Sequence, residues 1–289
     1  MSDQLFESML ARLLVEPTFL EACIADPVAA TRQYQMDPGL SRAFRSVDFA
    51  RIRKFSGFIG KIQHNFLWDN FPASRQLLAH HGKELQVFAD YRVTQLSTHI
   101  KSASRQQKIE SFVAFLKRKV PELRIAGLDE TLRHEHTMWS LLDASRSQVP
   151  CADHVRNDSI SSMAWNRMQR LVPQVNGLLR VLWFRCDPKA LVAEIESGVF
   201  RRHLIEDEHV LAYWLDSMHR QVRILAIDPL TGLFLTKING VRSLRSIISA
   251  IRHGSLSEVK PVAFREIIET IQQNQVIRFD SSDRERSCA

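Results

Sequence analysis

The chain has 289 residues, of which 45% are hydrophobic and 25% charged, and its formal net charge is +7. Such a composition is typical of a soluble globular protein, and the positive charge favours nucleic acid, an anionic membrane or an acidic peptide as partner. No apolar run approaches the ~18 residues of a membrane span, and the N-terminus lacks a signal-peptide pattern, so we expect a cytoplasmic protein. The four cysteines have neither zinc-ribbon nor C-x-x-C spacing, and no disulfide framework is expected.

The first half of the chain has the apolar spacing of helices. One long amphipathic helix is predicted where apolar residues recur every three or four positions, at Ile52, Phe55, Ile59, Ile62 and Phe66. Further helices are predicted at about 74–81, 84–100, 106–119 (ended by Pro121) and 128–144. Pro72 should hold Phe71 outside a helix. Residues 1–145 therefore form a predicted N-terminal helical domain.

The second half has a different pattern, and a polar stretch at 146–165 is predicted to be a linker. Strands are predicted at 177–185, 209–216, 221–228 and 275–279, and helices at 188–199, 229–238, 243–252 and 262–274. The predicted fold class is therefore α+β and mostly helical. A helical bundle is followed by an α+β domain at 166–289, whose winged-helix-like, peptide-recognition-like part lies at 205–280.

His134, Glu135 and His136 are residue types that bind metals, but their spacing argues against a metal site. On a helix, positions two apart point about 200° away from each other. A helical metal pair uses the H-E-x-x-H spacing, and Met138 stands four residues after His134. No metal ligand set is expected in this chain. A self-contained metalloenzyme using His134 or His136 remains the weakest alternative.

No catalytic set is visible elsewhere, so the residues favour a binding protein over an enzyme. Neither Cys151 nor Cys186 has a local partner that would activate its thiol. The predicted hairpin at 209–228 and the helices after it suggest a groove for an extended peptide, which would add to the sheet as a strand. The predicted groove residues are Arg223, Ile224, Leu225, Ala226 and Ile227 of the strand and Phe264, Ile267, Ile268 and Ile271 of the helix. Most of these apolar helix residues are expected to fill the domain core, and some could do both.

The same pattern suits a winged-helix regulator that binds nucleic acid. Arg242, Arg245 and Arg252 could then contact phosphates. Against this alternative, the helix at 262–274 has one arginine and two glutamates, which is a poor composition for a recognition helix.

A family resemblance covers nearly the whole chain. The segments "LARLLVEPTFLEACIADPVAATRQYQMDP", "WDNFPASRQLL" and "LRHEHTMWSL" occur in an order that resembles the partner subunits of multinuclear non-haem iron-dependent oxidases. Those oxidases modify ribosomally made peptides in the methanobactin and 3-thiaglutamate pathways, and the second of these is the nearer likeness. The segments "HVLAYWLD", "QVRILAID" and "NGVRSL", with the helices around them, resemble a precursor-peptide recognition element.

The resemblance implies a non-catalytic subunit in natural-product biosynthesis. The irons would belong to a separate TIM-barrel partner in a heterodimer, and this chain would hold no cofactor. It would bind the leader of a precursor or carrier peptide and present a cysteine, C-terminal in the 3-thiaglutamate pathway, to that partner. The helical domain would dock the partner through residues near the helix break, the segment 68–74 around Pro72, and on the last helix of the domain. These residues are Trp68, Asp69, Phe71, Arg75, His134, Glu135 and Trp139.

Overall fold

The structure, a computed structural model, describes residues 2–97, 104–147, 160, 162–175, 177–216, 221–254 and 260–279. The described chain is mostly helical with small antiparallel sheets, which confirms an α+β class. The first helices are α1 Ser2–Val15, α2 Pro17–Ala25, α3 Pro27–Gln33, α4 Pro38–Arg45, α5 Phe49–Trp68, α6 Pro72–His80, α7 Glu84–Ser97, α8 Arg105–Leu123 and α9 Leu128–Ser147. No helix in these ranges is both long and apolar enough to cross a bilayer.

The later elements alternate between strand and helix. In chain order they are α10 Trp165–Met168, β1 Pro173–Val175, β2 Leu179–Phe184, α11 Pro188–Glu196, β3 His209–Asp216, β4 Gln221–Ile227, α12 Pro229–Lys237, α13 Leu244–Gly254, α14 Pro261–Gln273 and β5 Ile277–Phe279. Strands β1 and β5 pair with each other, and β2, β3 and β4 form a separate antiparallel sheet in that order.

Prolines and aspartates start many of the helices. Pro72 is the first residue of α6, and Phe71 before it has a non-helical backbone, as the sequence predicts. Asp48 caps α5 by accepting a hydrogen bond from the Arg51 N–H. The prediction that Pro121 ends α8 is wrong, because the helix continues to Leu123. It ends where Arg124 adopts a left-handed backbone with φ of 52°.

The chain divides into two compact units, and the division differs from the predicted boundary at residue 145. The first unit contains residues 1–132 and 190–204, and the second contains 133–189 and 205–289. Helix α9 is shared, because Leu141 in its second half packs with Phe184 and Tyr213 of the sheet. The predicted linker at 146–165 lies largely outside the described residues, at 148–159 and 161.

The first unit has an aromatic core at the end of α5. The ring centroids of Trp68 and Tyr91 each lie 4.9 Å from that of Phe112, and Trp68 lies 5.5 Å from Phe88. All four side chains are at most 1% exposed. These contacts join α5, α7 and α8.

In the second unit the sheet is covered on both faces. Alternate residues of β3 point to opposite sides. Leu211 and Tyr213 pack with Leu141 of α9, whereas Ala212 and Trp214 pack in the core cluster formed with α12, α13 and α14. Strand β3 is therefore buried along nearly its whole length, and its two neighbours form the edges of the sheet.

Candidate functional site

Strand β4 is an edge of the three-stranded sheet, and the register shows which of its backbone groups face outward. The Leu215 N–H donates to the Leu178 carbonyl at 3.1 Å, so Leu215 points its backbone groups toward β2. Backbone groups alternate sides along a strand, so Trp214 points its groups toward β4. Trp214 is paired with Arg223, so the backbone groups of Arg223 point toward β3. The same holds for every second residue after it, Leu225 and Ile227. The outward groups of β4 are therefore those of Val222, Ile224 and Ala226.

These outward N–H and C=O groups form an open edge. No described residue hydrogen-bonds to the backbone of Val222, Ile224 or Ala226 on that side. An unpaired edge of this kind accepts an extended chain as a further strand, because the guest supplies the missing main-chain partners. Among the described residues, β4 therefore leaves its outer main-chain groups available for an added strand.

The opposite edge of the sheet is different. The Trp183 carbonyl of β2 points away from β3 and accepts a hydrogen bond from Arg133 Nη2 at 2.9 Å. The same guanidinium lies over the ring of Phe184, 5.0 Å from its centroid. Arg133 therefore occupies an acceptor that an added strand on β2 would need. Sequence reasoning missed Arg133, because no local pattern connects it with a strand fifty residues away.

The side chains of β4 are half-buried apolar groups on both faces of the sheet. Val222 and Ile224 pack on the cluster around Tyr213, whereas Leu225 and Ile227 pack on the core of α12 to α14. A guest strand would extend both surfaces, so its alternate apolar side chains would gain burial. Arg223 is exposed at the end of the strand and forms an ion pair with Asp216 at 2.6 Å.

Amide hydrogen exchange should show the alternation directly. In the free chain we expect slow exchange at Arg223, Leu225 and Ile227, whose N–H groups bond to β3, and fast exchange at Val222, Ile224 and Ala226. Residue-resolved exchange by NMR is the measurement. Uniform protection along β4 would mean that another segment already covers the edge, and it would remove the candidate site.

The predicted groove residues on α14 lie in the core. Phe264, Ile268 and Ile271 are 0% exposed and Ile267 is 8% exposed. They share one cluster with Leu225 and Ile227 of β4. The sequence left open whether these residues line a groove or fill the core, and their burial supports the core. Their role at the site is to support the sheet from one face.

The predicted partner-binding residues near the helix break also differ in exposure. Trp68 and Phe71 are at most 1% exposed, so they cannot serve as surface anchors in this conformation. Arg75 forms an ion pair with Glu84 at 2.9 Å, and Asp69 is exposed. Trp68 fills the core between α5, α7 and α8, where its ring contacts those of Phe88 and Phe112.

The predicted residues on α9 are mostly buried as well. His134, Glu135 and Trp139 are 7 to 8% exposed. The ring of His136 stacks against Trp139 with centroids 5.9 Å apart, whereas His134 Nδ1 lies 2.7 Å from the Tyr213 hydroxyl. The two histidines thus have different neighbours, as their spacing on a helix predicts. The described residues include no group of three or more histidine, cysteine or acidic side chains placed to hold a metal ion.

The buried His134–Tyr213 pair joins α9 to the central strand β3. The pKa of His134 is lowered from 6.5 to about 4, mainly by burial; the nearby Asp187 opposes this shift and Lys189 adds to it. Burial also raises the pKa of the Tyr213 hydroxyl. Both groups are therefore neutral at pH 7, and the pair is a structural hydrogen bond that positions α9 on the sheet.

This shift predicts a pH dependence of stability. In the unfolded state His134 binds a proton below pH 6.5, whereas in the folded state it does so only near pH 4. The folded state therefore loses stability as the pH falls from 6.5 to about 4. The full loss would be about 3 kcal/mol, at about 1.4 kcal/mol per pKa unit. In His134→Gln, chemical unfolding between about pH 7 and pH 5 should show a flatter profile than the wild type. His203→Gln, at an exposed histidine, is the matched control; equal slopes for all three proteins would contradict this assignment.

Comparisons with family models, curated proteins and solved structures found no match to this chain. The geometry of the described residues therefore carries the functional argument. Its main feature is the sheet edge at Val222, Ile224 and Ala226, beside an opposite edge that Arg133 occupies.

Proposed function

We propose that this chain is a non-catalytic subunit that binds the leader of a ribosomally made precursor peptide. It presents the peptide's modifiable residue, a cysteine, to a partner iron-dependent oxidase in natural-product biosynthesis. The observation that carries the peptide-binding part is the open edge of β4. The oxidase partner rests on the family resemblance of the sequence.

The order of elements supports a recognition element of the winged-helix type. Strands β2, β3 and β4 form one antiparallel sheet, and α12, α13 and α14 follow β4 directly in the chain. The leader adds beside β4 and bonds to Val222, Ile224 and Ala226. Main-chain hydrogen bonds give an affinity that tolerates varied leader sequences, and the half-buried side chains of β4 favour apolar residues at alternate guest positions.

The catalytic contribution of such a subunit is to position the substrate. The irons and the chemistry belong to the partner, in a cytoplasmic heterodimer. Holding the leader fixes the cysteine near the reacting centre, and such positioning turns a bimolecular encounter into an effectively intramolecular one. The isolated chain is expected to be inactive.

Nucleic-acid binding is the second candidate, because Arg242, Arg245 and Arg252 are all exposed in and before α13. A winged-helix reader, however, needs a basic helix in the groove of DNA. In α14, Arg265 is paired with Glu269 at 2.9 Å and Glu266 is exposed. These carboxylates would repel phosphates, so the peptide proposal is favoured.

The test is a tagged purification of the chain from its source cells, with the bound proteins, peptides and nucleic acid identified. The proposal predicts recovery of an iron-containing TIM-barrel protein together with a small precursor peptide. Nucleic acid alone would favour the alternative, and its binding should then weaken steeply with salt.

A further inference from the structure

Helix α5 exposes large apolar side chains along one side. Phe55, Phe58 and Ile62 are 51%, 45% and 63% exposed. Their spacing of three and four residues places them on one face of the helix. The rings of Phe55 and Phe58 adjoin, with centroids 6.2 Å apart. The apolar stripe that predicts this helix would ordinarily face the core, so its exposure requires a physical reason.

The reason lies on the opposite face of α5, which carries small residues. A Cβ added at Gly57 would overlap the carbonyl oxygen of Leu85 in α7 and lie 2.9 Å from the carbonyl carbon. The buried Arg92 of α7 donates to the Ser56 carbonyl at 2.8 Å and to its hydroxyl at 2.9 Å. Helices α5 and α7 are therefore too close for phenylalanine between them, and the bulky residues of α5 point outward.

A group of exposed cations, called here the cation cluster, stands at the start of α5 and in the helix that precedes it. Arg42 and Arg45 of α4 and Arg51 and Lys54 of α5 are exposed around the turn between the two helices. None of the four forms an ion pair with a described residue. Helix α5 itself contains no acidic residue. The face thus combines an apolar centre with an end that carries a net positive charge, where Asp48 is the exposed acidic residue of the turn.

We propose that this face binds an acidic amphipathic helix of a partner protein. Apolar residues of the guest would cover Phe55, Phe58 and Ile62, and its carboxylates would lie against the cation cluster. This inference is independent of peptide binding at β4, which lies in the other unit. It also replaces the buried Trp68 and Phe71 as the apolar part of a docking surface on the first unit.

Two other occupants fit the face less well. A membrane-bound helix usually carries cations along its polar face, whereas here they stand at one end and Asn65 and Asp69 are exposed at the other. In an antiparallel packing of two copies, each cation cluster would meet a single carboxylate, Asp69. Most of the positive charge of each cation cluster would then have no carboxylate opposite it. A partner helix rich in acidic residues complements the face more completely.

The experiment uses the full chain and a fluorescein-labelled designed helix of about 18 residues, long enough to be helical, with leucine on one face and glutamate on the other. Fluorescence anisotropy should show micromolar binding that weakens with salt. A second peptide with lysine in place of glutamate should bind at least about tenfold more weakly. Equal binding of the two peptides, or no binding of either, would overturn the proposal.

Variants locate the binding surface. Phe58→Ser combined with Ile62→Ser, and separately Arg51→Glu combined with Lys54→Glu, should each weaken binding of the acidic peptide about tenfold or more. Val262→Ser removes a comparably exposed side chain in the second unit, since Val262 is 64% exposed. This variant should bind the acidic peptide as the wild type does. Circular dichroism confirms that each variant is folded. Unchanged binding by both double variants would contradict the assigned face.

Two further measurements distinguish the other occupants. Sedimentation of the chain with vesicles of phosphatidylserine and phosphatidylcholine tests the membrane. Sedimentation equilibrium of the chain alone tests a second copy. Vesicle binding or dimerisation that the same double variants abolish would assign the face to that occupant and overturn the proposal.

Discussion

Replacing Ala226 with proline is expected to weaken binding of the leader strongly while leaving the fold intact. Ala226 is exposed, and its N–H points to the open edge of β4. Proline removes that donor, and its ring occupies the space where the guest backbone must approach. The bonds from β4 to β3 come from the neighbouring positions Leu225 and Ile227, so the sheet keeps its ladder; proline is tolerated on such an edge.

The expected loss of affinity is about a hundredfold, or about 3 kcal/mol, because one hydrogen bond is lost and its neighbours are displaced. This loss is measured by calorimetric titration with the leader peptide that co-purifies with the wild-type chain. Ala226→Thr is the matched control, since threonine keeps the N–H and suits a strand. Wild-type affinity in Ala226→Pro would show that the peptide does not add to β4.

A single methyl group at Gly57 is expected to destabilise the first unit severely. The added carbon would overlap the Leu85 carbonyl, and a backbone group cannot rotate away as a flexible side chain can. Helix α5 must then move away from α7, which also disturbs the hydrogen bonds between Arg92 and Ser56. We expect Gly57→Ala to lower the free energy of unfolding by about 3 kcal/mol, despite the better helix propensity of alanine.

Chemical unfolding followed by circular dichroism measures this effect. Phe58→Ala changes the next residue, whose side chain is 45% exposed, and serves as the control with an expected change below about 1 kcal/mol. A neutral Gly57→Ala would mean that the two helices are not closely packed. The explanation for the outward direction of Phe55 and Phe58 would then fail as well.

The sequence predicted the elements well because their signals are local. Proline and aspartate mark helix starts, as at Pro17 and Pro72, and two strand-like apolar runs marked β3 and β4 to within one residue. Pro121 was misleading because a proline near the end of a helix removes only one hydrogen bond, which the last turn of α8 tolerates.

The functional surfaces could be predicted only in part. The strand at 223–227 was named from the sequence, but the outward position of Val222, Ile224 and Ala226 depends on pairing with β3. The burial of Trp68 and the exposure of Ile62 likewise depend on which helices pack against α5. Periodicity shows that a helix has an apolar stripe. It does not show which face of the helix packs against a neighbour when the other face carries glycine.

The most direct test of the proposed function compares the tagged wild-type chain with Ala226→Pro in purifications from source cells. We predict that the wild type retains both a precursor peptide and an iron-containing TIM-barrel protein, and that the variant retains the protein but loses the peptide. Recovery of nucleic acid with neither of these, or equal recovery of the peptide by both chains, would contradict the account.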